Sequence, residues 1–524
     1  MELLRPHDAF FLHTETAQVQ QHVGGLAVLD PSGRPDGLLR LDELAGHLEG
    51  RLDRVPRLRQ RLALPPLGLV RPAWVDDDAF DLSWHLRTLR LDSPGGRAEL
   101  RAAVEAVMSQ PLDRSRPLWE GYLLEGLADG LQGFLVKLHH AIADGLAALE
   151  LARQLLDLTP DPSGPPGPVD NASTPPPKLV TLNLGGRPQG LGGPGVDAEG
   201  GGTATPTPHG LRLFLATLGA HLAGPVRSVT FGLAHLVARP RWSLRRAFDT
   251  ALGIWELARG GRAPRSPITG PIGPWRRIAF TEIPLPWISR IRSELGCSTT
   301  DITLTATAEA LHKLLAAKAT GGSGGLKSEA PATASGNQRQ PSGRPPVKQV
   351  APPATLRTML PIAVRPWSKQ AAPGTWTAAF SIDLPVGPMA PAERLAAVRS
   401  LTRAVRRTHQ ARAAKFLMDS VGTWAPAWVH ARAARFAYRG RWFNLIVTAL
   451  RGVPVPVYLL GARVVAAYPI MPLAEDMGFA VAAVSWTDQL TVGLTADRDT
   501  IPELDAVAKA MTDCIEQLYK TAKR

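Results

Sequence analysis

The sequence predicts an α/β chain built as two halves of similar size. Three observations carry that expectation. Apolar runs of strand length alternate with stretches of helical spacing along most of the chain. Two low-complexity stretches, 160–210 and 321–353, interrupt this alternation. No short repeat period runs through the 524 residues. With 44% hydrophobic and 20% charged residues the chain can bury a sizeable core, which excludes wholesale disorder.

In order, Val23 to Leu29 is an apolar run ended by Asp30-Pro31, a strand signal, and Leu41 to Leu52 has helical spacing. Gly121 to Leu127 and Gly133 to Leu138 flank the turn residues Ala128-Asp129-Gly130 and read as strand, turn, strand. Leu146 to Leu158 then returns to helical spacing. Residues 1–159 therefore form a first unit, and 160–210 a Pro/Gly-rich linker. Residues 211–263 form a basic helical connector; within 211–262, eight Arg face only Asp249 and Glu256. The second unit spans 264–524. It begins with a strand at Arg277 to Leu285 and helices at Trp287 to Leu295 and Thr300 to Leu315. The insertion 321–353 holds almost no large apolar side chain and has too little to bury to offset its ordering entropy. Strands follow at Leu356–Val364 and Phe380–Val386, and helices across 391–412. Further strands fall near Leu445–Thr448, Val464–Tyr468, Gly478–Trp486 and Gln489–Ala496, before an amphipathic helix over 500–521.

Charge and cysteine usage narrow the function classes. The formal charge is +13, mostly from Arg, which favours anionic partners: nucleic acid, an acidic lipid surface or a phosphate-rich substrate such as coenzyme A. Nucleic acid is the weakest of these, because no zinc-finger spacing, basic heptad region or RNP-type strand is present. Cys297 and Cys514 make no CxxC pair and no disulfide scaffold, and the expected compartment is reducing and cytoplasmic. The opening MELLRPHDAFFLHTE lacks the basic and apolar regions of a signal peptide. No 18-residue apolar stretch is free of charges, so any membrane contact is expected to be peripheral. The basic segment 211–262 has two readings: packing between the halves, or docking on an anionic membrane or lipid droplet.

The strongest chemical signal is HHAIADG, His139 to Gly145, between an apolar strand and a helix. A histidine at a strand end with solvent access suits general-base work, since its ordinary pKa of about 6.5 leaves it neutral and basic near pH 7. His139 and His140 are adjacent and point different ways, so at most one is the base and the other is packed or hydrogen-bonded. Asp144 either pairs with a basic residue to hold the turn or orients the imidazole, and Gly145 permits a tight turn. No metal is expected: HExxH zinc sites space their histidines one helical turn apart with a Glu between them.

HHAIADG, together with LDRSRPLWEGYLLEGL (Leu112 to Leu127), resembles the bacterial wax ester synthase/diacylglycerol acyltransferases. LRPHDAFFLHTET, HVGGLAVLD, RVPRLRQRL and RPAWVDDDAFDLSWHLR are similar to the family's opening blocks. GPIGPWRRIAF, TLRTMLPIAVRP, FSIDLPVG and the long LLGARVVAAYPIMPLAEDMGF segment are similar to its later ones. HHxxxDG alone is shared with chloramphenicol acetyltransferase-like enzymes and condensation domains. The resemblance implies two chloramphenicol-acetyltransferase-like domains with a solvent channel between them. It implies His140 as the base, a structural Asp144, and Pro117, Leu118 and Trp119 as the PLW motif near the acyl pocket; plain core packing is the alternative for these three. It further implies acyl-CoA as co-substrate, no cofactor, and diacylglycerol or a fatty alcohol as acceptor. Departures cluster in the second half. Thr300-Asp301 replaces Asn-Asp, Gly374-Thr375 replaces Gly-Asn, and Ala449 to Val453 keeps Gly452 but not the family's Asn and final Pro. Two further readings remain open: a condensation-type enzyme using a carrier-protein thioester, and a catalytically weak lipid-binding or droplet-coat protein.

Overall fold

Apolar strands pair here across long stretches of chain, so the sheets do not follow sequence order. The computed structural model describes residues 2–64, 71–161, 218–219, 240–319, 353–363 and 377–523. The expected linker beyond residue 161, most of the connector before residue 240, the insertion 321–352 and the Gly374-Thr375 pair lie outside the described residues.

In chain order the first part holds β1 (Glu2–Leu3), α1 (Pro6–Thr14), β2 (His22–Asp30), α2 (Leu41–Glu49), β3 (Gln60–Ala63), β4 (Ala73–Asp76), α3 (Leu82–His85), β5 (Leu86–Arg90), α4 (Arg97–Ser109), β6 (Trp119–Glu125), β7 (Gln132–His139) and α5 (Gly145–Leu155). Then come α6 (Pro240–Arg259), β8 (Arg276–Pro284), α7 (Leu285–Leu295), α8 (Thr299–Ala319), β9 (Thr355–Ala363), β10 (Thr377–Pro385), α9 (Pro391–Val405), α10 (Gln410–Trp424) and α11 (Ala427–Ala437). The chain continues with β11 (Leu445–Arg451), β12 (Tyr458–Leu459), β13 (Ala462–Ile470), β14 (Phe479–Trp486), β15 (Gln489–Asp497) and α12 (Leu504–Thr521).

Two six-stranded mixed sheets result, ordered β12-β13-β2-β7-β6-β5 and β10-β9-β11-β14-β15-β8, with a small sheet β1-β4-β3 beside them. In the first sheet, antiparallel pairing of β2 and β7 sets His22 opposite His139 and Val23 opposite Leu138. The second sheet carries the larger core, where Phe479, Val481 and Leu494 pack under the buried helices α8 and α12. β12 and β13 come from the 264–524 segment but add to the first sheet, so sheet membership crosses the boundary expected from sequence.

The seam between the sheets is tight. A Cβ on Gly493 of β15 would lie 1.8 Å from the Pro469 carbonyl oxygen of β13, so only glycine lets these backbones meet. Across the same seam the Glu105 carboxylate of α4 accepts the Ile278 N–H of β8 at 2.8 Å.

Helix α1 is wedged between the halves. Ala9 and Leu12 pack with Leu118 and Ala141–Ala143 of the first half. Phe10 packs with Tyr438, Ile446 and Leu473 of the second. A helix buried on both sides has no polar face to give it periodicity, which is why HDAFFLHT carries no clear helical signal.

Candidate active site

Strand β7 delivers the two histidines to the α1 wedge. Both are buried, and their backbone is tied on either side. The His139 N–H reaches the Leu118 carbonyl at 3.4 Å, and the His140 N–H donates to the Gln21 carbonyl at 2.9 Å.

His139 is held through both ring nitrogens. Nδ1 accepts from the Ala141 N–H at 3.2 Å, so the proton resides on Nε2, which faces Glu15 Oε2 at 3.2 Å. Glu15 caps the C-terminus of α1 and serves several elements at once. Its Oε1 accepts the Gln21 N–H at 3.2 Å and lies 3.5 Å from His22 Nε2, and Arg114 bonds its Oε2. Burial pushes the Glu15 carboxyl upward, but the His139 pair, the hydrogen bonds from His139 and His22, and Arg114 outweigh it and hold the group well below its ordinary range. Burial likewise drives His22 down to about 3, against the opposing pull of Glu15, so His22 is neutral.

His140 is 2% exposed, against the expected solvent access. The reason is Phe11, whose ring lies on the imidazole with centroids 3.7 Å apart and planes 7° apart. Phe11 meets Tyr438 edge-on at 6.0 Å, so His140 is coupled through one ring to the second half.

Asp144 is the N-cap of α5: its carboxylate accepts the Ala147 N–H at 2.9 Å. This is one way of holding the turn. Gly145 is the first residue of α5. Pro117 leads into β6, and Leu118 is wholly buried under the motif turn. The Trp119 indole N–H donates to the Leu58 carbonyl at 2.7 Å, and its ring stacks on His85 at 4.9 Å. Leu118 packs against the motif turn, while Trp119 packs in the neighbouring cluster with Leu58 and Leu86.

Asp301 and Gly452 have their partners in the second half. Asp301 is buried at the start of α8 and accepts from the Ser298 N–H at 2.8 Å and the Thr402 hydroxyl at 2.6 Å, tying α8 to α9. Gly452 follows β11, where a Cβ would stand 2.2 Å from the Ser485 carbonyl oxygen; its N–H reaches the Ser485 hydroxyl at 3.2 Å.

A cleft of about 550 Å³ opens where the halves meet, walled by Glu15, Gln20, Ser109 and Arg114 from the first and by Pro274 and Trp275 from the second. Its lining includes Glu15, the carboxylate that faces His139, and does not include His140. The sequence reading missed Phe11, Glu15 and Gln21. Each lies more than a hundred residues before the histidines; the β2–β7 register brings Gln21 to His140, and the packing of α1 brings Phe11 and Glu15.

The comparisons agree along the whole length. A model described as the wax ester synthase/diacylglycerol acyltransferase catalytic domain matches residues 4–303, and the WS/DGAT C-terminal domain matches residues 374–519. A Mycobacterium tuberculosis protein named as a diacylglycerol O-acyltransferase, tgs1, is 28% identical over 536 residues, covering 100% of this chain and 97% of that protein. A second diacylglycerol O-acyltransferase by name from the same species is 27% identical over 531 residues, covering 99% of this chain and 90% of that one. Among solved structures, the wax ester synthase/diacylglycerol acyltransferase from Marinobacter aquaeolei superposes with a TM-score of 0.61 at 22% identity, covering 100% of both chains. The first condensation domain of the calcium-dependent antibiotic synthetase superposes with a TM-score of 0.56 at 12% identity, over 99% of this chain and 96% of that one. The two-sheet architecture is the fold these enzymes share, and with its catalytic-domain model spanning more than half of the sequence, the chain belongs to the wax ester synthase/diacylglycerol acyltransferase family.

Proposed function

We propose that this chain transfers the acyl group of acyl-CoA to the hydroxyl of diacylglycerol or a long-chain alcohol, with His140 as general base. A neutral imidazole nitrogen of His140 takes the hydroxyl proton as the oxygen attacks the thioester carbonyl. The tetrahedral intermediate collapses, the C–S bond breaks, and the proton passes to the leaving CoA thiolate. The products are an ester and free CoA, and no acyl-enzyme forms.

One observation supports the choice of His140 over its neighbour. The only imidazole lone pair of His139 is engaged by the Ala141 N–H, and its other nitrogen faces Glu15. A base must offer a lone pair to the hydroxyl, and His139 has none to offer without breaking the loop. Phe11 covers a face of the His140 ring, so the hydroxyl approaches at the ring edge, where the one nitrogen lone pair of the neutral imidazole lies in plane. Pro117, Leu118, Trp119, Asp144 and Gly145 keep this loop in place. Asp301 and Gly452 brace the second half, no cofactor takes part, and the acceptor is drawn from a membrane or lipid-droplet surface. Purified chain incubated with one long-chain acyl-CoA and a panel of diacylglycerols and alcohols should release CoA only when a hydroxyl acceptor is present. CoA release that ignores the acceptor, or turnover only with a carrier-bound acyl thioester, contradicts the proposal.

A further inference from the structure

We infer that the outer face of α6 is the surface by which this protein docks on bilayers bearing anionic phospholipid. The inference deepens the reading of a lipid acceptor given above and rests on it for its purpose, but not for its geometry.

Helix α6 runs from Pro240 to Arg259, 20 residues, or about 30 Å at 1.5 Å per residue. Its inner side is fixed. Gly253 packs against the His409 carbonyl and Ala413 of α10 so closely that a Cβ there would meet backbone at 2.4 Å. Both acids of the helix turn to this side: Glu256 accepts the His409 N–H at 2.8 Å, and Asp249 lies 3.5 Å from the His409 ring.

The outer side is unusual for a protein surface. Leu244 is 64% exposed, Phe248 68% and Trp255 52%. Their spacing of four and seven residues sets them in one stripe along the helix, with the small, exposed Ala251 between. Arg241, Arg245 and Arg259 are exposed and, by the same periodicity, line one edge of that stripe. The Arg259 guanidinium sits over the Trp255 ring at 4.4 Å.

Contiguous exposed apolar surface marks an interaction site. The partner is chosen by charge. The outward charges of α6 are cationic, because its two acids are committed inward to His409. An apolar stripe edged by arginines matches a bilayer interface, where acyl chains receive the rings and acidic headgroups receive the guanidiniums. Trp255 with Arg259 over it is suited to headgroup depth. Docked this way, the protein would stand on the sheet of lipid from which a diacylglycerol must be taken.

The test is co-sedimentation of the full chain with phosphatidylcholine vesicles, with and without phosphatidylglycerol. The wild type should bind the anionic vesicles, and added salt should weaken binding. Phe248→Ser combined with Trp255→Ser should weaken binding at least tenfold. Arg241→Gln combined with Arg245→Gln should weaken it about fivefold per arginine and erase the preference for phosphatidylglycerol. All four positions are exposed, so the melting temperature should not move. Turnover with a short, water-soluble alcohol should stay at the wild-type level in both variants, while turnover of vesicle-embedded diacylglycerol falls. Failure of every acceptor in the wild type would overturn the catalytic proposal and leave the vesicle result standing alone. Unchanged vesicle binding in both variants overturns the docking surface. So does a wild type that ignores vesicles and self-associates through these residues, since the stripe would then serve a second copy of the chain.

Discussion

At the scale of single residues the site is organised by a carboxylate. Glu15 joins α1, β2 and β7 through Gln21, His22 and His139, and the same Gln21 backbone carries the His140 N–H on its carbonyl. Glu15 is therefore a positioning residue: it acts on His140 through Gln21 and His139. Its lowered pKa fixes the sign of a pH effect. A carboxyl held below its ordinary 4.5 stabilises the fold at every pH above that value, and the contribution is lost as pH falls below 4.5 towards the folded-state pKa. Glu15→Gln removes a charge-assisted bond to a buried partner and should cost about 2 kcal/mol at pH 7. Urea denaturation should show that difference shrinking as pH falls below about 4.5, since the wild type then loses the same charge. A stability gap that holds constant down to acid pH would mean Glu15 acts only by filling space. Turnover should fall as well, with the loss in kcat rather than KM, because what loosens is the base and not the lipid contacts.

At the scale of elements, the motif turn is a junction between a strand and a helix. β7 ends on His139, and α5 begins on Gly145 with Asp144 as its cap. Asp144→Ala should lower stability by about 1–2 kcal/mol and reduce turnover with it, whereas Asp144→Asn keeps a capping oxygen and should remain close to wild type. Thermal melts and a pH–rate profile on both variants check this. A shifted profile at an unchanged melting temperature would instead make Asp144 a tuner of the imidazole.

The same scale shows what could be read without a structure. β6, β7, β14 and β15 stood out because apolar residues fill most of each run, as they do in strands covered on both faces. α1 did not stand out, being buried on both sides, and α10 and α11 were passed over although each carries an apolar face. The histidine pair was legible as a motif. Its surroundings were not: Phe11, Glu15 and Gln21 owe their roles to strand register and to the packing of α1, neither of which leaves a local trace in sequence. Solvent access to His140 was misjudged for the same reason, because the ring that covers it comes from α1. The crossing of β12 and β13 into the first sheet is a long-range pairing of this kind.

At the scale of the whole molecule, the halves are interlocked rather than merely adjacent. β13 pairs with β2 while its neighbour in space, β15, belongs to the other sheet, and Gly493 lets the two backbones touch. Phe11 carries this interlocking into the site, with His140 on one side and Tyr438 on the other. No described helix is long and apolar enough to cross a membrane. The central claim concerns one side chain in this frame: that His140, and not His139, removes the proton from the acceptor hydroxyl. The direct measurement is turnover of a long-chain acyl-CoA with saturating acceptor for His140→Ala and His139→Ala, each with its melting temperature and acyl-CoA affinity. His140→Ala should lose ~10²–10⁴-fold in kcat while melting and binding acyl-CoA like the wild type. His139→Ala should melt lower, because Glu15 and the Ala141 N–H lose their partner, and should retain more activity. Wild-type turnover in a folded His140→Ala protein, or abolition by His139→Ala at an unchanged melting temperature, would contradict the assignment.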